Sequence, residues 1–287
     1  YHLMFTDIYR KYALLCLGAI SIHPANSGPE RFEMQVNVNR VLILPLLFLF
    51  GCTTGGPWRK QSDTKSWSIQ KQSEIVRSGK TAYRFEVRPG DGWGDGFKKS
   101  SRAEFSEKWN APFNHETWYG MSIFIPKDIQ PILKRLVIGQ WHGTSHMVDK
   151  VEVWCDRPSV LSNELHLTQT FQIIVRYETE KRCAPNTPDP TSHVKRKRFN
   201  LRKFSLGVWN DLIYQVRWST KKEGYLNVWL NGEKVVEYKG PIGFFDPKGP
   251  YFKYGIYRYK SEYNTHIVYF DSYRRGSSYK DVDPAQE

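Results

Sequence analysis

The segment Tyr225-Leu-Asn-Val-Trp-Leu230, Asn231-Gly232, Glu233-Lys-Val-Val-Glu-Tyr238 specifies a β-hairpin, because two short alternating runs flank a dipeptide that supplies two positive φ angles for a type I′ turn. Comparable runs recur along the chain: 82–87, 102–105, 117–125, 135–141, 151–154, 164–178, 209–218, 251–259 and 266–273. No repeat or long helical period interrupts them, and only Pro126 to Leu133 suits a short helical turn. The pattern predicts an all-β fold. The 10 Trp, 17 Tyr and 16 Phe suit half-buried pleated faces or a sugar-binding surface. A chain of 287 residues, 40% hydrophobic, can bury the core of one sandwich domain.

The one long apolar stretch, Val41 to Phe50, is too short to span a bilayer as a helix and reads as the core of a signal peptide. Met34 precedes it and Arg40 supplies its positive flank, so residues 1–33 are expected to be upstream read-through and 34–51 the signal peptide. Leu49-Phe50-Gly51-Cys52 resembles a bacterial lipobox. Cleavage before Cys52, acylation of its thiol and a tether over 52–66 are the expectation, leaving a domain over 67–287; the mass of the processed N-terminal peptide decides it. The protein would then be an exported bacterial lipoprotein of the periplasm, outer membrane or cell surface, touching membrane only through its anchor.

Residues 1–51 hold four of the 42 Lys and Arg and three of the 29 Asp and Glu, so the remainder carries 38 against 26, a surplus of 12 positive charges. A basic exported protein points to a polyanionic partner, and export favours an anionic polysaccharide over nucleic acid. A monomer is expected. Cys155 and Cys183 are left as a pair that an oxidising compartment could join in a disulfide. The stretch Lys181 to Arg198, with three Pro and the run Lys195-Arg-Lys-Arg198, is expected to be an exposed basic loop, either holding the polyanion or simply solvated.

Strand alternation places polar side chains on common faces. Arg102 and Glu104 share one, Gln140 and His142 another, and Tyr251, Lys253, Gly255, Tyr257 and Tyr259 a third. These are the groups that elimination on a uronate requires. The C5 proton lies α to a carboxylate, so the site must neutralise that carboxylate and stabilise the developing enolate-like charge, which Arg, Lys and a Gln amide can do. A base must take the proton and an acid must protonate the leaving oxygen, roles open to His and Tyr.

The trio Arg-x-Glu, Gln-x-His and Tyr-Phe-Lys-x-Gly-x-Tyr resembles the signature of the alginate lyase jelly rolls. The wider layout, Gln140-Trp-His-Gly143, 209–218, 224–232, 249–258 and Val268-Tyr-Phe-Asp271, is similar to the heparin lyase I and glucuronan lyase group of polysaccharide lyases. The resemblance spans roughly 80–275. It implies a concanavalin-like β-jelly roll, a sandwich of two antiparallel sheets, and an enzyme cleaving heparin- or heparan-like chains, glucuronan or alginate by β-elimination. It further implies that Arg102 and Gln140 bind the uronate carboxylate, that His142 neutralises it or acts as base, and that Tyr257, beside His142, is the acid and a second candidate for the base. Lys253 would line the subsite, with Tyr251, Tyr259, Arg258 and Glu104 completing the substrate-binding surface. Phe105 and Ser106, where alginate lyases commonly continue with Leu-Arg, and Tyr259, where they commonly carry Gln, favour the heparin and glucuronan side.

No cofactor is required by this chemistry. His115, His146, His166 and His193 lack metal-ligand spacing with Cys or carboxylates, and although the heparin lyase resemblance allows a structural calcium, no Asp-rich loop demands one. Two other functions suit the fold: a glycoside hydrolase, which needs two neighbouring carboxylates, and a lectin-like binding module, which needs no acid or base. The Glu-x-Asp-x-x-Glu strand of the laminarinase-like hydrolases is absent.

Overall fold

The computed structural model describes residues 56–62, 65–92, 100–144, 157–181 and 193–286, together with the backbone of 146–148 and 151–153. The strands are β1 (Trp58–Ser62), β2 (Ile69–Gln72), β3 (Ala82–Val87), β4 (Ser100–Glu107), β5 (Glu116–Phe124), β6 (Arg135–His142), β7 (His146–Val148), β8 (Val151–Val153), β9 (Leu161–His166), β10 (Phe171–Glu178), β11 (Val194–Asn200), β12 (Trp209–Arg217), β13 (Tyr225–Leu230), β14 (Glu233–Lys239), β15 (Tyr251–Tyr259) and β16 (His266–Gly276). One turn of helix, α1 (Tyr279–Val282), follows.

Two seven-stranded antiparallel sheets carry the expected sandwich. The first runs β1-β4-β15-β6-β9-β10-β11 and the second β14-β13-β12-β5-β16-β3-β2. Their facing surfaces bury Phe85, Met121, Ile123, Trp141, Trp218 and Phe252 in one apolar core. In β13 the alternation is direct: Leu226, Val228 and Leu230 are buried, while Tyr225, Asn227 and Trp229 are half-buried. Asn231 and Gly232 take φ angles of 51° and 83°, closing the predicted hairpin onto β14.

Several elements differ from the sequence reading. Residues 58–62, expected in the tether, form β1 and pair with β4 through Trp58↔Glu107 to Ser62↔Ala103. The single run 164–178 is a hairpin of β9 and β10, because Gln169, with φ of 58°, reverses the chain between them. Of the expected basic loop, 182–192 lies outside the described residues, but Lys195 to Arg198 belongs to β11, the edge strand, paired with β10. The segment after Pro126 makes a turn, Ile129 N–H to Pro126 C=O at 3.2 Å, and no helix. Cys52, the leader, Cys155 and Cys183 also lie outside the described residues.

Two irregularities set which side chains leave the first sheet. On β6, Ile138 packs in the core and a Cβ on Gly139 would sit 3.1 Å from the Asn163 amide, so two successive residues turn inward and the alternation changes phase. Arg135 and Val137 therefore share the outer face with Gln140 and His142. On β15, Gly255 has φ of 130°, and a Cβ there would lie 2.1 Å from the Ala103 carbonyl oxygen. Replacing Gly255 by Ala should cost about 2–4 kcal/mol from left-handed strain and overlap, lowering Tm by roughly 4–15 °C at this chain length. Calorimetry measures it, and an unchanged Tm would refute the close approach.

Candidate functional site

Register across the first sheet assembles the outer face in rows. Tyr257 pairs with Arg102 on β4 and with Val137 on β6. The next row carries Lys253 opposite Ser106 and Gln140, with Ser162 beyond Gln140. The third holds Tyr251 opposite His142. All eight positions of β4 are buried, yet only Ala103 and Phe105 are apolar. Sheet packing explains Ala103 and Phe105, which lie in the core; Arg102 and Glu104 are buried among polar partners on the outer face.

Glu104 is fully buried beneath this face. The Gln140 amide donates to it at 2.6 Å, and an Arg102 guanidinium nitrogen lies 3.7 Å away. One hydrogen of the Gln140 amide is thus committed and the other is left for a ligand. Arg102 also donates to Gln61 on β1 at 3.3 Å. Lys253, 3% exposed, is lowered to about 8 by burial, with the Glu104 charge opposing and Arg102 assisting. Three donors therefore surround one carboxylate and leave a desolvated surplus of positive charge.

Half-buried His142 feels that surplus. Burial and then Lys253 and Arg102 hold it down to about 3, so the ring is neutral. Its Nδ1 lies 2.9 Å from the Gly143 carbonyl oxygen. A carbonyl only accepts, so Nδ1 carries the hydrogen and Nε2 keeps its lone pair. The Gly143 turn is itself fixed. Asp246 accepts from the Thr144 N–H at 2.8 Å, Arg157 bonds Asp246 and Glu178, the latter at 2.5 Å, and a Cβ on Gly143 would lie 2.4 Å from the Asp246 carboxylate. This buried chain of ion pairs holds the carbonyl that selects the His142 tautomer.

Tyr251 and Tyr257 stay protonated. Burial raises Tyr251 to about 12, and burial raises Tyr257 while Arg102, whose Cζ lies 4.8 Å from its ring centroid, pulls the other way. Tyr259 lies under Lys134 at 4.8 Å and Arg135 at 5.6 Å.

Most residues singled out in the sequence meet on this one face, but three placements differ. Arg258 alternates to the opposite side, 1% exposed, bonded to the Asn264 carbonyl and at 2.6 Å from His266 Nδ1, so it is no part of this outer face. Glu104 is too deeply buried to touch a sugar and acts by holding Gln140. The aromatic ring directly across from His142 is Tyr251, centroids 5.8 Å apart, whereas Tyr257 stands on the far flank of the Lys253–Gln140 row.

The face also contains groups that the sequence reading passed over. Glu164 on β9 binds Arg135 at 2.6 Å and Arg176 at 2.9 Å, and Ser162 donates to it at 2.7 Å. Burial would raise Glu164, but His166 and the two arginines override it and hold the carboxyl well below its usual range. A Glu-x-His on β9 facing Arg176 on β10 was the available signal, hidden by reading the hairpin as one strand. Among the described residues no three His, Cys, Asp or Glu side chains gather as metal ligands.

The polysaccharide lyase family model matches residues 50–274. Among solved structures, an endo-β-1,4-glucuronan lyase from the fungus Trichoderma reesei is similar with a TM-score of 0.62 at 17% identity, covering 80% of this chain and 98% of that one. A family 7 alginate lyase bound to product aligns with a TM-score of 0.51 at 15% identity over 77% and 95% of the two chains. An alginate lyase from Chlorella virus gives 0.51 at 13% over 78% and 94%. No curated protein sequence matches the chain.

The geometry of His142 has a spectroscopic consequence. Its signals should show the Nδ1–H tautomer and no titration between pH 5 and 8, in contrast to an ordinary imidazole near 6.5. Because its folded value lies below the unfolded one, this group costs stability progressively as pH falls below about 6.5. Nitrogen-detected NMR with a His142→Gln variant for assignment checks both; a midpoint near 6.5 would contradict the buried cationic setting.

Proposed function

We propose that this chain, which belongs to the polysaccharide lyase family, cleaves an acidic, uronate-containing polysaccharide by β-elimination, and that the outer face of its first sheet is the active site. The observation that carries the reading is a neutral His142 held beside three desolvated donors, Arg102, Gln140 and Lys253. That set suits a carboxylate whose α-carbon is to be deprotonated. The donors take the uronate carboxylate and its growing negative charge, in a setting where burial strengthens each interaction. His142 Nε2 removes the C5 proton. The C5–H electrons form the C4–C5 double bond, the C4–O bond breaks, and the leaving oxygen takes the phenolic proton of Tyr257. Arg102 over the Tyr257 ring stabilises the phenolate until it is reprotonated.

His142 and Tyr257 flank the Lys253–Gln140 row on opposite sides, so base and acid reach the sugar from either side of its bound carboxylate. A phenol raised by burial favours the acid role over that of a resting phenolate base. Among the described residues the two carboxylates of this face do not suit the hydrolase alternative: Glu104 and Glu164 are both buried and committed to arginine or amide partners. Glucuronan and alginate, the polymers named for the structural relatives, are the first substrates to assay, with heparin, heparan sulfate and hyaluronan beside them.

Tyr257→Phe keeps the ring and removes the transferable proton, so turnover should fall by roughly 10²–10⁴ with Tm and polymer binding retained. The assay is the ultraviolet absorbance of the unsaturated uronate. Near wild-type elimination by folded Tyr257→Phe would move the acid role to Tyr251, and cleavage without the chromophore would overturn elimination itself.

A further inference from the structure

The row that contains His142 does not end at the catalytic cluster. Val160, which adjoins the Trp141↔Leu161 pair at the level of His142, accepts the Arg176 N–H at 2.7 Å, and Arg176 pairs with Arg196 on the edge strand. The neighbouring row continues from Gln140 through Ser162 and Ile174 to Arg198. Arg196 and Arg198 thus stand on the same face as the site, three strand spacings from His142, about 14 Å. Both are exposed.

Charge along these rows is unbalanced. Glu164 is the carboxylate beneath them and is already shared by Arg135 and Arg176. Arg176 is lowered by burial, with Arg135 and Arg196 as like charges acting in the same direction, so Arg196 approaches it closely enough to be felt. Among the described residues, no carboxylate forms an ion pair with Lys195, Arg196, Lys197 or Arg198. An extended polyanion crossing the strands past Gln140 and His142 would meet this unpaired charge next, and the strand spacing of about 4.8 Å is close to the rise of one pyranose along such a chain.

We propose that Arg196 and Arg198 form a distal subsite on the edge strand that grips uronate carboxylates of the same polysaccharide about three sugars from the scissile bond. The proposal rests on the lyase reading above. It makes the enzyme selective for long chains: short oligomers fill the catalytic cluster without reaching β11, whereas polymers gain a second, salt-sensitive hold. Lys195 and Lys197, which alternate to the other face of the same strand, have no part in it.

The experiment compares wild type, Arg196→Ala/Arg198→Ala and Lys195→Ala/Lys197→Ala, as full chains, on whichever of glucuronan or alginate wild type cleaves, against its trimer and tetramer. Removing the two arginines should raise KM for polymer by about 3- to 10-fold, the scale of two exposed charge pairs, leave kcat and the trimer KM unchanged, and flatten the salt dependence of the polymer KM. The lysine variant loses the same charge and should behave as wild type. Equal effects of the two variants, equal effects on trimer and polymer, or no effect on polymer would each overturn the subsite. So would an arginine variant that loses binding only to phosphatidylserine vesicles, which would assign the patch to an anionic lipid surface. Failure of wild type to cleave any uronate polymer would remove the lyase reading, and this proposal with it.

Discussion

A single buried carboxylate outnumbered by its donors organises the outer face. Glu104 carries one negative charge, and around it stand Arg102, Lys253 and the Gln140 amide. Taking charges out of water is costly unless they are paired, and here the pairing is incomplete by design of the sequence. Burial first, and then this surplus of positive charge, lowers Lys253 and keeps His142 neutral, and the arrangement would be completed by an incoming carboxylate. The same logic repeats around Glu164 with Arg135 and Arg176, so the sheet presents two anchored, positively biased patches in one plane.

The sandwich supplies what this arrangement needs, a rigid surface whose pleat aims every second side chain outward. Trp141, Phe252 and Tyr254 pack inward from the same strands that send out Gln140, His142, Tyr251 and Lys253. The side chains of the candidate site are then fixed by core packing rather than by loops. The exception is the turn after His142, where Gly143 and Thr144 depend on the Asp246–Arg157–Glu178 ion pairs for their position.

Much of this was legible in the sequence because it depends on local period. Strands β3 and β13 fall where alternation places them, the Asn231-Gly232 turn follows from positive φ, and Arg102, Gln140, His142, Lys253 and Tyr257 share a face because each lies in phase within its own strand. What failed depended on partners distant in sequence. Trp58–Ser62 looks like a polar tether until it pairs with β4. Arg258 failed for a local reason instead: it sits in a run of site residues, but the alternation that gathers them turns it to the opposite face. Arg135 reaches the face only because two residues at Ile138-Gly139 turn inward together, which no strict period of two can anticipate. The order of His142, Lys253 and Tyr257 along the face is set by inter-strand register, so the expected contact between His142 and Tyr257 gave way to His142 opposite Tyr251.

The account stands on one electrostatic claim, that burial together with the charges of Lys253 and Arg102 keeps His142 neutral while Lys253 remains charged only to about pH 8. The pH dependence of kcat/KM reports these groups in the free enzyme. Measured by ultraviolet absorbance on a cleaved uronate polymer, it should be flat from pH 5 to 7, with no limb near 6.5, and should fall above about pH 8 as Lys253 loses its proton. In Lys253→Arg that alkaline limb should move upward, since guanidinium stays protonated. An acidic limb near 6.5, or an alkaline limb unmoved in Lys253→Arg, would contradict it.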